Sequence, residues 1–223
     1  MNGSSALKSG LVAVLVFRSV WAAHSQAVIQ GKVLLPQAEA RVAPPPRYAG
    51  QVGEVAPPDP LAAVVYLEGQ FPQATTNRPE PVEVWQRGMQ FRPALLPVRV
   101  GTTVAFPNGD DFYHNVFSYS KPKRFDLGRY RKEDKPAVQT FDKPGVVKLY
   151  CDIHQHMRGT ILVLETPYFT RTATNGGYRL ENLPAGRYVL KAWADEKRLA
   201  ERTVELEAGK TVEVDFNLKT GSR

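Results

Sequence analysis

The sequence predicts an all-β protein, and three observations carry the prediction. The apolar runs are short, rich in Val, Ile, Tyr and Phe, and punctuated by Gly, Pro, Asn or Asp, the pattern of sandwiches and barrels. The tail alternates residue by residue, so that Val212, Val214, Phe216 and Leu218 share one face. Beyond the N-terminal stretch, no segment sustains helical periodicity.

In chain order, residues 1–27 read as a secretory signal peptide. Lys8 precedes the apolar stretch from Leu11 to Phe17, and small residues follow at Ala22, Ala23, Ser25 and Ala27. The run is too short to span a bilayer, and cleavage after Ala22 or after Ala27 fits the small-residue preference. Removing Lys8 and Arg18 lowers the formal charge from +7 to +5. The only cysteine is Cys151, which excludes an internal disulfide and a lipid-modified N-terminal cysteine.

Strands are expected at 28–35 and 61–67. Between them, residues 36–60 hold seven prolines, too many for a sheet or a helix. Further strands are expected at 90–91, 98–106, 113–117, 137–141, 146–151 and 160–165. Asn175-Gly-Gly177 reads as a tight hairpin, and 183–186 as a turn feeding a strand over 187–193. The basic stretch 121–132 interleaves aromatics with charge, as some nucleic-acid sites do, but in an exported protein it reads as a solvated loop, with salt-sensitive docking of an acidic redox partner as the alternative. Gly209-Lys-Thr211 echoes a phosphate loop, but Val204 occupies the required first glycine.

The chemistry concentrates in one place. Apart from His24 in the leader, the histidines are His114, His154 and His156, and two of them fall in Cys151-Asp-Ile-His154-Gln-His-Met157. A thiol, two imidazoles and a thioether form a soft donor set suited to copper shuttling between Cu(I) and Cu(II). Structural zinc sites usually carry more than one Cys, and a c-type haem needs a second Cys that this chain lacks. Two His, one Cys and a weak axial Met make a blue-copper arrangement.

From about Glu80 to Thr166 the chain resembles the cupredoxins, the plastocyanin and amicyanin family of Greek-key blue copper proteins. Gly101–Asn108 resembles the strand before the first copper ligand, His114-Asn115 the family's His-Asn, and Cys151, His154 and Met157 its ligand loop, with amicyanin-like spacing. The resemblance implies one type 1 copper held by His114, Cys151, His154 and, axially, Met157. It implies that Asn115 ties the two ligand-bearing loops together and steadies the sulfur. Two positions depart from the family: Ile153 stands where Pro is usual, and His156 where an apolar residue is usual. His156 puts the docking surface, not the metal, in question.

The flanks resemble a carboxypeptidase regulatory-like domain, a small transthyretin-like sandwich with a carbohydrate-binding-like fold. Residues 28–78 and 167–220 would form it, with the cupredoxin at 79–166 inserted or placed alongside. The expectation is therefore an exported, periplasmic one-electron carrier, not an enzyme, since no carboxylate pair, Ser-His-Asp set or second metal cluster is visible. Its partners would be redox proteins, with no nucleic acid and no stable membrane span. The alternatives are a copper delivery protein, or a carbohydrate- or protein-binding module using Tyr66, Tyr178 and Trp193.

Overall fold

The structure is a computed structural model and describes residues 26–36, 55–71 and 80–220. The leader expected at 1–27 therefore lies outside it except for Gln26 and Ala27, as does most of the proline-rich stretch. All regular structure among the described residues is β. The chain runs through β1 (Ala27–Leu34), β2 (Val64–Leu67), β3 (Val82–Glu83), β4 (Trp85–Gln86), β5 (Phe91–Arg92) and β6 (Leu95–Arg99). It continues through β7 (Thr102–Phe106), β8 (His114–Ser120), β9 (Lys123–Tyr130), β10 (Ala137–Phe141), β11 (Gly145–Tyr150) and β12 (Arg158–Leu164). The last third holds β13 (Phe169–Arg171), β14 (Gly177–Leu183), β15 (Gly186–Asp195), β16 (Arg198–Leu206), β17 (Thr211–Glu213) and β18 (Phe216–Asn217).

Two sandwiches form from these strands. In one, the sheet β14-β1-β17, with β18 also on β1, faces the sheet β13-β2-β15-β16. Ile29, Val33, Leu67, Leu183, Leu190 and Phe216 fill the space between. The period-two alternation of β1 puts Ala27, Ile29 and Val33 inward. Gly31 is required there, because a Cβ would lie 2.0 Å from the carbonyl oxygen of Val214. In the other sandwich, the sheet β6-β12-β11-β8-β9 faces β10-β7-β3 across Val104, Phe106, Phe141, Val147 and Ile161.

The run Ile161-Leu-Val-Leu164 in β12 is continuously apolar because both faces are covered. Ile161 and Val163 enter the core of the second sandwich. Leu162 and Leu164 instead join Val64, Leu95 and Trp193 in a cluster between the two sandwiches. Lys148 of β11 adds an ion pair to Glu196 at 2.9 Å, beyond the end of β15.

Three expectations change. Residues 123–130 form the edge strand β9 paired with β8, not a loop; Lys123, Phe125 and Leu127 are half-buried between exposed neighbours, an alternation masked by the many charges. The expected strand 98–106 is two strands, split by the turn at Gly101 (φ +89°). Asn175–Gly177 is a turn, with the Asn175 side chain accepting from the Gly177 amide at 2.9 Å, but its flanking strands β13 and β14 enter opposite sheets. It therefore turns the chain between layers instead of closing a hairpin.

Candidate metal centre

One end of the second sandwich gathers the soft donors. β8 begins at His114, so that ring enters from the start of a central strand. β11 ends at Tyr150, delivering Cys151 to the loop that carries His154 and Met157 before β12 resumes at Arg158. The Met157 amide donates to the His154 carbonyl at 2.8 Å, which folds the loop tightly. His114, Cys151, His154 and Met157 are all buried.

The donor atoms of three of them converge. His114, Cys151 and His154 offer atoms that all lie within 4.8 Å of one another. The two Nδ1 atoms are 3.0 Å apart, and Cys151 Sγ is 3.9 Å from that of His114 and 3.8 Å from that of His154. Met157 shares the apolar cluster of Cys151 and is fully buried. His156 stands beside His154, with ring centroids 6.2 Å apart, outside the converging set.

Asn115 joins the two ligand-bearing segments: its Oδ1 accepts from the Asp152 amide at 2.7 Å, and its Nδ2 donates to Asp126 at 3.2 Å. Burial opposes ionisation of Cys151. Hydrogen bonding from His114, His154 and the backbone at Asn115 and His154 outweighs it and brings the thiol down to about 6. Burial likewise disfavours a charged His114, but Asp110 and Cys151 outweigh it and raise its pKa. For His156, burial and then the neighbouring imidazoles lower it.

Sequence reasoning missed Asp110, whose carboxylate accepts from His114 Nε2 at 2.9 Å. Burial would raise its pKa, but hydrogen bonds from His114, Met89 and Gly88 pull it below the usual carboxylate range. Its place four residues before a ligand histidine does not by itself distinguish it from an ordinary turn Asp. Also missed was the pair of Arg129 and Asp152, 2.7 Å apart beside the ligand loop. The aromatics weighed as a sugar platform do not form one: Tyr178 is a core residue donating to the Val214 carbonyl, and Trp193 is buried between the sandwiches.

The donor chemistry fits copper. With Nε2–H directed at Asp110, a neutral His114 turns a lone pair on Nδ1 toward Nδ1 of His154 and a readily ionised thiol. Such an arrangement calls for a cation.

Comparison with known protein families agrees. Residues 81–164 match the copper binding proteins of the plastocyanin/azurin family. Residues 158–219 match the carboxypeptidase regulatory-like domain. Solved structures similar to the chain include the Cu-containing nitrite reductase (NirK) from Thermus scotoductus, at 33% identity over 40% of this chain, with a TM-score of 0.37. The match spans only 23% of that reductase. A purple cupredoxin from Nitrosopumilus maritimus is 24% identical over 37% of this chain and 98% of its own, with a TM-score of 0.33. Amicyanin from Paracoccus versutus is 26% identical over 40% of this chain and 87% of its own, with a TM-score of 0.34. No curated protein sequence matches the chain.

Proposed function

We propose that the protein is an exported one-electron carrier holding one type 1 copper at His114, Cys151, His154 and Met157. The observation that carries this reading is the convergence of two imidazole nitrogens and one sulfur within 4.8 Å in a buried pocket. Bound copper supplies a one-electron Cu(II)/Cu(I) couple to such a site. The chain contributes a fixed frame: the start of β8 holds one ligand, and the tight loop after β11 holds the others. Burial excludes water, and the Asn115–Asp152 bond keeps the two segments in register. A rigid, dry frame limits rearrangement as charge changes.

Electrons would pass at the His154 edge, where Phe112, Tyr113, Ile153 and Arg129 surround an open depression. Arg131 stacks over Tyr113 at 4.6 Å, and Lys132 pairs with Asp111 nearby. Arg129 and Lys132 are each paired with a carboxylate, which leaves Arg131 as the rim's unbalanced cation, so an acidic redox protein would gain only a modest attraction that weakens with salt. Among the described residues no helix is long and apolar enough to cross a membrane.

The cupredoxin is read as inserted into the carboxypeptidase regulatory-like sandwich, because β1 and β2 pair with strands from β13 onward. Proteolysis that released a stable fragment beginning near residue 79 with an intact outer sandwich would contradict insertion. For export, cleavage after Ala22 is favoured over Ala27, since Ala27 is a buried residue of β1.

The copper-loaded protein should exchange electrons rapidly with a second copy of itself, and should release copper to a competing chelator only slowly. Fast loss to chelator with slow electron exchange would instead identify a copper delivery protein.

A further inference from the structure

We infer that Asp110 is the positioning residue of the metal centre, held by the Gly88–Met89 turn so that its carboxylate fixes the tautomer and direction of His114. The inference rests on the copper reading above and adds a residue to it.

The geometry forms an unbroken chain from backbone to ligand. Asp110 Oδ1 accepts from the Gly88 amide at 2.7 Å, and Oδ2 accepts from the Met89 amide at 3.0 Å. Oδ2 also accepts from His114 Nε2 at 2.9 Å. His114 is fully buried, and the Asp110 side chain is 12% exposed. The Asn108 side chain accepts from the Asp110 amide at 2.9 Å, pinning the carboxylate from behind.

The turn supplying the two amides joins β4 to β5. Gly88 and the non-glycine Met89 both have left-handed backbone, at φ +60° and +56°. They are the two central residues of the hairpin turn closed by Arg87 and Gln90, and their amides both face the Asp110 carboxylate. Met89 adopts a conformation costly for a side-chain-bearing residue, as happens where surroundings over-determine the backbone. At Gly88 a Cβ would lie 2.4 Å from that of Ala56, so no other residue fits there without displacing its neighbour. The turn, the carboxylate and the ligand histidine thus form one device.

Its consequence is electronic as well as steric. A carboxylate on the far nitrogen of a ligating imidazole fixes the tautomer and raises the ligand's basicity. A fixed negative charge near the metal also favours Cu(II) over Cu(I). Asp110 therefore sets the centre at a lower potential than a neutral acceptor would.

The test compares wild type with Asp110→Asn, which keeps the shape, removes the charge and places an amide NH2 against the turn amides. In the metal-free wild type at alkaline pH, 15N NMR should find the His114 proton on Nε2. In Asp110→Asn, Cu(II) affinity should fall about 10–100-fold. If Cu(I) affinity falls about tenfold less, the potential rises by about 59 mV. A proton on Nδ1 in the wild type, or an Asp110→Asn protein with unchanged potential and copper affinity, would overturn the inference. The NMR measurement needs no variant and stands even if Asp110→Asn folds poorly. A wild type that bound copper without a type 1 spectrum would remove the copper reading itself, and the two failures are read separately.

Discussion

His114 and His154 face each other through their Nδ1 atoms at 3.0 Å, although one ring starts β8 and the other sits in the loop after β11. Forty residues separate them in sequence, so the sandwich must bring them together. Phe112 meets both rings edge-on, at 5.0 Å and 5.5 Å between centroids, and fills the space on their outer side. The site is a product of packing as much as of motif.

Cys151→Ser should eliminate any intense visible absorption of the copper form while leaving the two imidazoles to bind Cu(II) weakly. The oxygen is nearly isosteric, so the metal-free variant should keep its β circular dichroism. A retained intense band would show that the sulfur is no ligand.

Met157→Gln should leave copper bound and shift its reduction potential, because an axial ligand tunes potential more than it holds the ion. Met157 is fully buried, so the exchange should also lower the melting temperature. An unchanged potential measured by voltammetry would count against axial ligation.

In the metal-free protein, ultraviolet thiolate absorbance should rise with a midpoint of about 6, against an ordinary value of 9.0. A depressed acid pKa contributes stability that is fully present above the unfolded value and is lost as pH falls through about 6. His114 acts with the opposite sign: its raised pKa contributes stability present below its unfolded value and lost as pH rises through the folded one. The two stability trends oppose each other, so the thiolate signal is the cleaner readout. A midpoint near the ordinary thiol value would contradict the imidazole contacts.

Trp193→Ala should destabilise both sandwiches together. Trp193 is 6% exposed in the cluster with Val64, Leu95, Leu162 and Leu164, and its ring lies 5.8 Å from Lys148 Nζ. Loss of a buried aromatic costs about 3–5 kcal/mol. Calorimetry should show the whole transition moving to lower temperature; an unshifted transition would mean that the junction contributes little.

Much of this was legible in the sequence, for physical reasons. Cys151, His154 and Met157 were readable because the loop is local and its residue types are scarce. The alternation of Val212, Val214, Phe216 and Leu218 was readable because one face of the tail is buried, and these side chains are indeed the inward ones. Asp110 was not readable, since an Asp in Asn-Gly-Asp-Asp is an ordinary turn residue until a fold sets it against His114 and the Gly88–Met89 amides. β9 was hidden because its exposed charges obscured a half-buried alternation. Trp193 was readable as a core aromatic, but what covers it was not, because the partner strand β12, with Leu162 and Leu164, lies in another part of the chain.

The most direct test is a visible and electron paramagnetic resonance spectrum of the purified protein after addition of one equivalent of Cu(II). The account predicts a strong absorption from sulfur-to-copper charge transfer and a narrow copper hyperfine splitting, both lost in Cys151→Ser. A pale protein with the wide splitting of ordinary Cu(II) would contradict it.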